Sequence, residues 1–354
     1  MKFSFEEFRK VYETLEDEIS REIFFARLRY SITYNHGTIM ELPNKYKNLD
    51  ADTKNLTEYL MVRDKKMVIF GAGNNGRALA QYIKGVDFFA FIDNYRKDKV
   101  DEETKLPIYS MEEYISKFDL MNTCFVISVV DCDASAQIRK QLLEVGVSEV
   151  NIIAVAKDWR NNESQYFDVF APMNNEVFVD CGCYDGATAY RFAGWCGAKS
   201  YSKIICFEPD PDLYNKCSNV LRKLSDCSVY QYGLSDKYEE VSFLADGSEC
   251  ARIVDKGSFP EEKVQTIHTV DLDTFLKDER VTFIKMDIEG AEYDALVGAS
   301  NIIKEQKPRL AICLYHNCEH IVSIPLLLLS LRSDYKFKIR HYSMLPNETV
   351  LYAY

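Results

Sequence analysis

Basic residues are in deficit. The chain sets 43 Lys and Arg against 55 Asp and Glu, a net charge of −12, and that balance disfavours nucleic acid, whose binding rests on neutralising phosphates. Anionic membrane surfaces are disfavoured by the same repulsion. Long hydrophobic runs are missing too: the longest, from Ile324 to Leu331, contains Pro325 and Ser330 and falls far short of the ~20 residues that cross a bilayer. The N-terminus, MKFSFEEFRKVYETLEDEIS, alternates charge with aromatics and lacks the apolar segment of a signal peptide. A soluble, cytoplasmic protein without a membrane span is expected. No C-x-x-C occurs among the 11 cysteines. Their odd number and irregular spacing read as reduced, mostly buried thiols rather than a disulfide framework or a zinc site.

What is present is a globular composition, 47% hydrophobic and 28% charged over 354 residues, long enough for two domains and an appendage. Ser4 and Glu7 fit a capping box, and Phe5, Phe8, Tyr12, Leu15, Ile19, Ile23 and Phe24 recur at helical spacing. Residues 1–62 therefore read as a helical segment whose apolar stripe packs on the next domain or, in a homodimer, on a second copy. From 63 to 156 the rhythm is strand, glycine turn, helix: MVIFGAGNNGRALAQYI, FFAFIDN, CFVISVV, then a helix and VNII. Residues 157–175 read as a linker. From 176 to 354 a second alternation runs through EVFVDCGCYDGAT, KIICFEPD, CSVYQYGLSD, VTFIKMDIEG and PRLAICLYH, and closes with a hairpin of YKFKIRHYS and TVLYAY. The fold class expected is α/β: two doubly wound Rossmann-like domains, the second with an antiparallel edge hairpin.

Each domain opens with a glycine loop, and the loops differ in charge. Gly71-Ala72-Gly73-Asn74-Asn75-Gly76 holds no acid. Its amides and the following helix suit a pyrophosphate, with Asp93 about 20 residues on to bond ribose hydroxyls. The second loop, Asp180-Cys181-Gly182-Cys183-Tyr184-Asp185-Gly186-Ala187-Thr188, holds two carboxylates, which repel phosphate and favour a cation. S-adenosylmethionine carries a sulfonium and an ammonium. Glu208, with Pro209 and Asp210 at the end of the next strand, is placed to bond its ribose, and Leu234-Ser235-Asp236 to border the adenine. The bland alternative is that Asp180 and Asp185 cap turns and Glu208 caps a helix.

In FIKMDIEGAEYDALVGA, Asp287, Glu289 and Glu292 crowd the passage from strand to helix around Gly290. Asp287 lies at a strand's carboxyl end, where ligands gather in such sheets, and Glu289 and Glu292 are expected to share the first helical turn. A carboxylate here serves as general base, orients an acceptor hydroxyl, or joins a second acid on Mg²⁺, the less favoured route. His316, after the following strand, is the rival base, and Lys285 is expected to pair with a carboxylate.

The blocks FVDCGCYDGAT, FEPDP, GLSD, TVDLDTFL and IKMDIEGAEYDALVGA, in that order, resemble the FkbM family of S-adenosylmethionine-dependent methyltransferases. The resemblance implies a class I methyltransferase fold, O-methylation of a sugar or glycan precursor, and S-adenosylhomocysteine as product. Arg340-His341-Tyr342 and Glu348 resemble the ending of one branch of that family, closing the substrate side. The N-terminal half resembles the small nucleotide-sugar-binding domain that precedes the catalytic part of bacterial sugar acetyltransferases, with NAD, a nucleotide sugar or no ligand all left open. Two other functions are carried as alternatives. One is a nicotinamide-dependent oxidoreductase using the Gly71 loop, which wants a hydride-transfer set. The other is a non-catalytic nucleotide-sugar-binding protein, which predicts a degraded donor loop.

Overall fold

Ser4 caps the first helix as its spacing implies: its hydroxyl accepts from the Glu7 amide while the Glu7 carboxylate takes the Ser4 N–H at 2.7 Å. This helix, α1 (Phe5–Thr14), is followed by α2 (Glu18–Thr33), capped by Asp17. The computed structural model describes residues 3–35, 37–40, 42, 46, 65–83, 86–96, 98–129, 132–154, 164–197, 201–244, 252–254, 264–343 and 346–354. These fall into two compact units, Leu49–Asn162 with Ser343–Leu345, and Met1–Asn48 with Glu163–Tyr342 and Pro346–Tyr354. The N-terminal helices thus pack within the same unit as the C-terminal half rather than standing as a segment of their own.

In the smaller unit, apolar runs give five parallel strands: β1 (Lys66–Phe70), β2 (Phe88–Ile92), β3 (Ile108–Tyr109), β4 (Thr123–Ile127) and β5 (Ile152–Ala154). Their order is β3-β2-β1-β4-β5, so the chain turns back at β1 and the Gly71 loop opens at the switch point, ahead of helix α3 (Asn74–Tyr82). Val68, Phe70, Ile92, Phe125 and Ile127 fill its core.

The larger unit is built on β6 (Glu176–Cys181), β7 (Tyr201–Phe207), β8 (Cys227–Tyr230), β13 (Phe283–Met286), β14 (Arg309–Cys313), β15 (Phe337–His341) and β16 (Thr349–Ala353), in the order β15-β16-β14-β13-β6-β7-β8. Only β16 runs against its neighbours, β14 and β15, so the reversed strand lies one place in from the edge. Side chains alternate between two buried faces, Val179, Ile205, Ile284 and Ile312 on one and Phe178, Ile204, Phe283 and Ala311 on the other, as a sheet covered on both sides requires. The apolar run that starts at Ile324 lies in a buried helix, His320–Leu331.

Val11, Leu15, Ile23 and Phe24 join the first of those faces, so much of the helical stripe is covered within its own chain, while Phe5 stays exposed. The link between the two helices also dresses the sheet edge, with Glu16 N–H donating to Phe337 O at 3.0 Å and Ile339 N–H to Ser20 Oγ at 2.9 Å. An exposed edge strand invites pairing with another chain; here the N-terminus occupies it.

Two features depart from the sequence pattern. Residues 166–167 of the expected linker are core, with Tyr166 and Phe167 packed against Phe178, Phe192 and Tyr352. A second, half-exposed sheet also forms from β9 (Gly233–Leu234), β10 (Glu239–Leu244), β11 (Arg252–Ile253) and β12 (Val264–Val270), where polar residues dilute the apolar alternation.

Candidate active site

The register of β13 on β6 sets the first element of the site. Lys285 stands opposite Asp180 in the parallel ladder, its ammonium 3.1 Å from Asp180 Oδ1 and donating to Gly182 O at 2.7 Å. Both residues are buried. Burial opposes the charge on Lys285, yet the charges of Asp180 and Asp287 outweigh it and raise its pKa, so the ammonium persists. Burial pushes the Asp180 carboxyl up, against the pull of Lys285. Lys285 pairs with a carboxylate as expected, and the charge of Asp180 is answered by that ammonium.

The loop after β6 then turns over the end of β13. Gly182 has φ +77°, and a Cβ there would lie 2.0 Å from Asp287 O, so only glycine permits the two loops to touch. Glu208, at the end of β7, accepts from Tyr184 N–H and Asp210 N–H, each at 3.0 Å, and burial lifts its carboxyl to about 7. Asp185 accepts from Ala187 N–H. Asp210 caps helix Pro211–Leu221. Asp185 bonds within its turn as the bland reading had it, whereas the helix is capped by Asp210 and not by Glu208. Thr188 accepts from Arg191 at 3.2 Å. Leu234, at the end of β9, and Ser235 after it are buried, and the Ser235 hydroxyl bonds Asp236.

Beyond β13 the chain reverses through Glu289 at φ +55° and Gly290 at φ +105°, a left-handed pair that is strained for glutamate and easy for glycine. The helix starts only at Glu292, so Glu289 and Glu292 do not share a helical turn. They meet nonetheless around one imidazole. His316 Nδ1 lies 2.8 Å from Glu292 Oε1, and its Nε2 lies 3.2 Å from Glu289 Oε1 and 3.5 Å from Asp287 Oδ1. Glu292 is fully buried and also accepts from Ile288 N–H and Gly290 N–H. Burial alone would raise its pKa, but His316 and His320 outweigh that and hold it well below the carboxylate range. For His316 burial is likewise outweighed by Glu292, Glu289 and Asp287, which raise its pKa well above the ordinary value.

Asp287 itself is held by two phenols. Tyr166 donates to Oδ2 at 2.9 Å and Tyr315 to Oδ1 at 3.0 Å. Burial and the charge of Asp287 push both hydroxyls well above their ordinary pKa, so they remain protonated donors. The chemistry available is that of a fixed carboxylate at the carboxyl edge of the sheet. Asp287, Glu292 and His316 present atoms within 4.8 Å of one another, a spacing that accommodates a metal ion.

Residues 180–335 match the Methyltransferase FkbM domain. Over 149 residues the chain is 26% identical to the 2-O-methyltransferase NoeI of Sinorhizobium fredii (strain NBRC 101917 / NGR234), an alignment covering 37% of this chain and 60% of that protein. The chain thus spans about 60% of the length of this relative. Among solved structures it is similar to the Methyltransferase FkbM from Methylobacillus flagellatus KT, with a TM-score of 0.51 and 19% identity over 95% of this chain and 99% of that one. That likeness is one of fold. It takes in almost the whole chain, whereas the domain match is confined to the C-terminal region.

Tyr166 and Tyr315 were not read from the sequence as site residues. Tyr315 adjoins His316 and could have been flagged by position, but Tyr166 lies in the stretch taken for a linker, 121 residues from its partner. The tail residues also find roles within the fold. Arg340 bonds Asp17, the buried His341 bonds Thr349, Tyr342 donates to Asp168, and Glu348 accepts from Gln165 at 2.7 Å.

In the smaller unit Asp93 does not stand free for a ribose. Its carboxylate accepts from the amides of Ala72, Tyr95 and Arg96, and these bonds outweigh its burial to lower its pKa. Gly71, Gly73, Asn74, Asn75 and Gly76 do form the strand-to-helix turn. One Tyr-x-x-x-Lys spacing follows, Tyr95 to Lys99, but it lies in an irregular loop with Tyr95 91% exposed and forms no hydride-transfer set. Among the described residues no helix is long and apolar enough to cross a membrane.

Proposed function

We propose that this protein transfers a methyl group from S-adenosylmethionine to a hydroxyl oxygen of a sugar or glycan precursor. The observation that carries the reading is Asp287, fixed by Tyr166 and Tyr315 at the carboxyl end of β13 and in contact, through its backbone, with the glycine loop after β6. In open α/β sheets ligands bind at that crevice, and the match to an FkbM methyltransferase domain falls on the same elements. The similarity to a protein named for 2-O-methylation supports oxygen as the acceptor atom, and a sugar as its bearer is what the family resemblance implies.

On this reading the loop from Asp180 to Thr188, with Glu208 to Asp210 and Leu234 to Asp236, cradles the donor. The acceptor hydroxyl meets Asp287. As the methyl carbon leaves sulfur, the C–S electron pair stays on sulfur to give neutral S-adenosylhomocysteine. The C–O bond forms, and the hydroxyl proton passes to the carboxylate and on to solvent. Asp287 takes the role of proton acceptor rather than His316, because three carboxylates keep the imidazole protonated in this arrangement. Most of the acceleration comes from holding donor and acceptor in line. The smaller unit holds a nucleotide-linked acceptor or serves as a scaffold.

Thermal unfolding with S-adenosylmethionine, S-adenosylhomocysteine, NAD and UDP-sugars tests this, since a ligand selective for the native state raises its melting temperature. A rise with the sulfonium donor and its product is expected. A rise with NAD and none with S-adenosylmethionine overturns the reading.

A further inference from the structure

The cluster around His316 holds more unmet polar capacity than a purely structural turn would. The His316 side chain is 8% exposed and that of His320 4%, and Glu292 is fully buried. Of their atoms, His320 Nδ1 and Glu292 Oε2 pair with each other at 3.3 Å, while the buried His316 Nε2 makes no well-formed hydrogen bond. Native interiors rarely leave such groups unmet, and one that does points to a missing water, ion or function. His316 Nε2 faces the Asp287 and Glu289 carboxylates at 3.5 and 3.2 Å. Three carboxylates therefore converge on one imidazole, while Lys285 sits against Asp180.

The spacing suits one ion. Asp287, Glu292 and His316 each offer an atom, all within 4.8 Å of one another, and ligands about 2.0–2.3 Å from a common centre lie between roughly 3 Å (adjacent) and 4.6 Å (opposite) apart. Asp287 is oriented by two phenols and Glu292 by two backbone amides, the outer support that ligating carboxylates usually have.

We propose that Asp287, Glu292 and His316 bind one divalent cation, with Glu289 beside it, the ion displacing the proton that the imidazole otherwise holds. Two carboxylates and an imidazole with open positions fit Mn²⁺ or Mg²⁺ better than soft metals. Its role rests on the methyl-transfer reading: an alkoxide forming next to three carboxylates is repelled, and a cation among them reverses that sign and acidifies the hydroxyl. Binding itself does not depend on that reading.

The test is a Mn²⁺ titration of the full chain, treated with EDTA and desalted, followed by the free-ion electron paramagnetic resonance signal with S-adenosylmethionine present. The free signal should be suppressed until one equivalent per chain is bound, and Mg²⁺ should restore it by competition. His316→Gln and Glu292→Gln should each weaken binding at least ~10-fold. Glu289→Gln, on the more exposed side chain, serves as a variant that keeps the fold. A free-ion signal undiminished at millimolar Mn²⁺ overturns the proposal, as does stoichiometric binding that survives both substitutions. A melting-temperature rise with S-adenosylmethionine but no Mn²⁺ binding sinks the cation and spares the methyltransferase. Mn²⁺ binding without that rise does the reverse.

Discussion

The Tyr166 hydroxyl donates to Asp287 Oδ2 at 2.9 Å, joining a residue that precedes the first strand of the larger sheet to the end of its fourth. Tyr166 sits at φ +77°, and its backbone N–H is held by Tyr352 Oη at 2.9 Å. A strained residue kept in place by several contacts is the pattern expected where geometry serves chemistry.

Removing that hydroxyl should loosen the carboxylate without unfolding the protein. Tyr166→Phe and Tyr315→Phe should each slow methyl transfer about 10-fold, the equivalent of one hydrogen bond to a charged group. Both should leave the melting-temperature rise with S-adenosylmethionine in place. Turnover measured by S-adenosylhomocysteine release decides it, and unchanged turnover in both variants would remove Asp287 from the reaction.

Gly182 and Gly73 should respond oppositely to alanine. At Gly182 the new Cβ meets Asp287 O at 2.0 Å with φ +77°, so Gly182→Ala should cost at least ~2 kcal/mol and abolish donor binding. At Gly73 nothing lies within 4 Å of the built Cβ, and Gly73→Ala should cost less than ~1 kcal/mol. Urea unfolding of the two variants side by side checks both.

Glu208 makes stability depend on pH in the less common direction. Its folded pKa of about 7 lies above the ordinary value of 4.5, so the folded protein binds more protons than the unfolded one between those values. The contribution is full below pH 4.5 and is lost as pH rises through 7, on the order of 2–3 kcal/mol. Glu208→Gln should flatten that limb of the stability profile. A Glu208→Gln profile that parallels the wild type from pH 5 to 8 would contradict it.

Asp17 works the other way. Burial would raise its pKa, but hydrogen bonds from Arg340 and Ser20 outweigh that and lower it from 3.8 to about 2. Its contribution is present above pH 3.8 and lost as pH falls through 2. Asp17→Ala removes the α2 cap and the bond to Arg340 at 2.6 Å and should cost ~1–2 kcal/mol. Thermal unfolding at pH 7 and pH 3 reads both effects, with the difference between variant and wild type shrinking in acid.

Local chemistry made much of this protein legible from its residues in order. Ser4 with Glu7 starts a helix, apolar runs ending in glycine turns give βα units, and an aspartate just past such a run lies at the ligand-binding end of a strand. Those features act within a few residues, so the chain writes them down directly. The lone charged residue within β13, Lys285, also implied a buried carboxylate for its partner.

Tertiary structure decided what the carboxylates face. Asp180 lies opposite Lys285 through the register of two strands more than 100 residues apart, Glu208, expected to bond a ribose, accepts from the amides of Tyr184 and Asp210, and Asp93 is taken up by three amides. Tyr166 was hidden in a stretch with no periodicity, and Glu289 reaches His316 only because a left-handed turn replaces the helical one. Sequence spacing fixes neighbours along one element; the meeting of side chains from different elements depends on register and on which backbone amides remain unpaired, and both exist only once the sheet has closed.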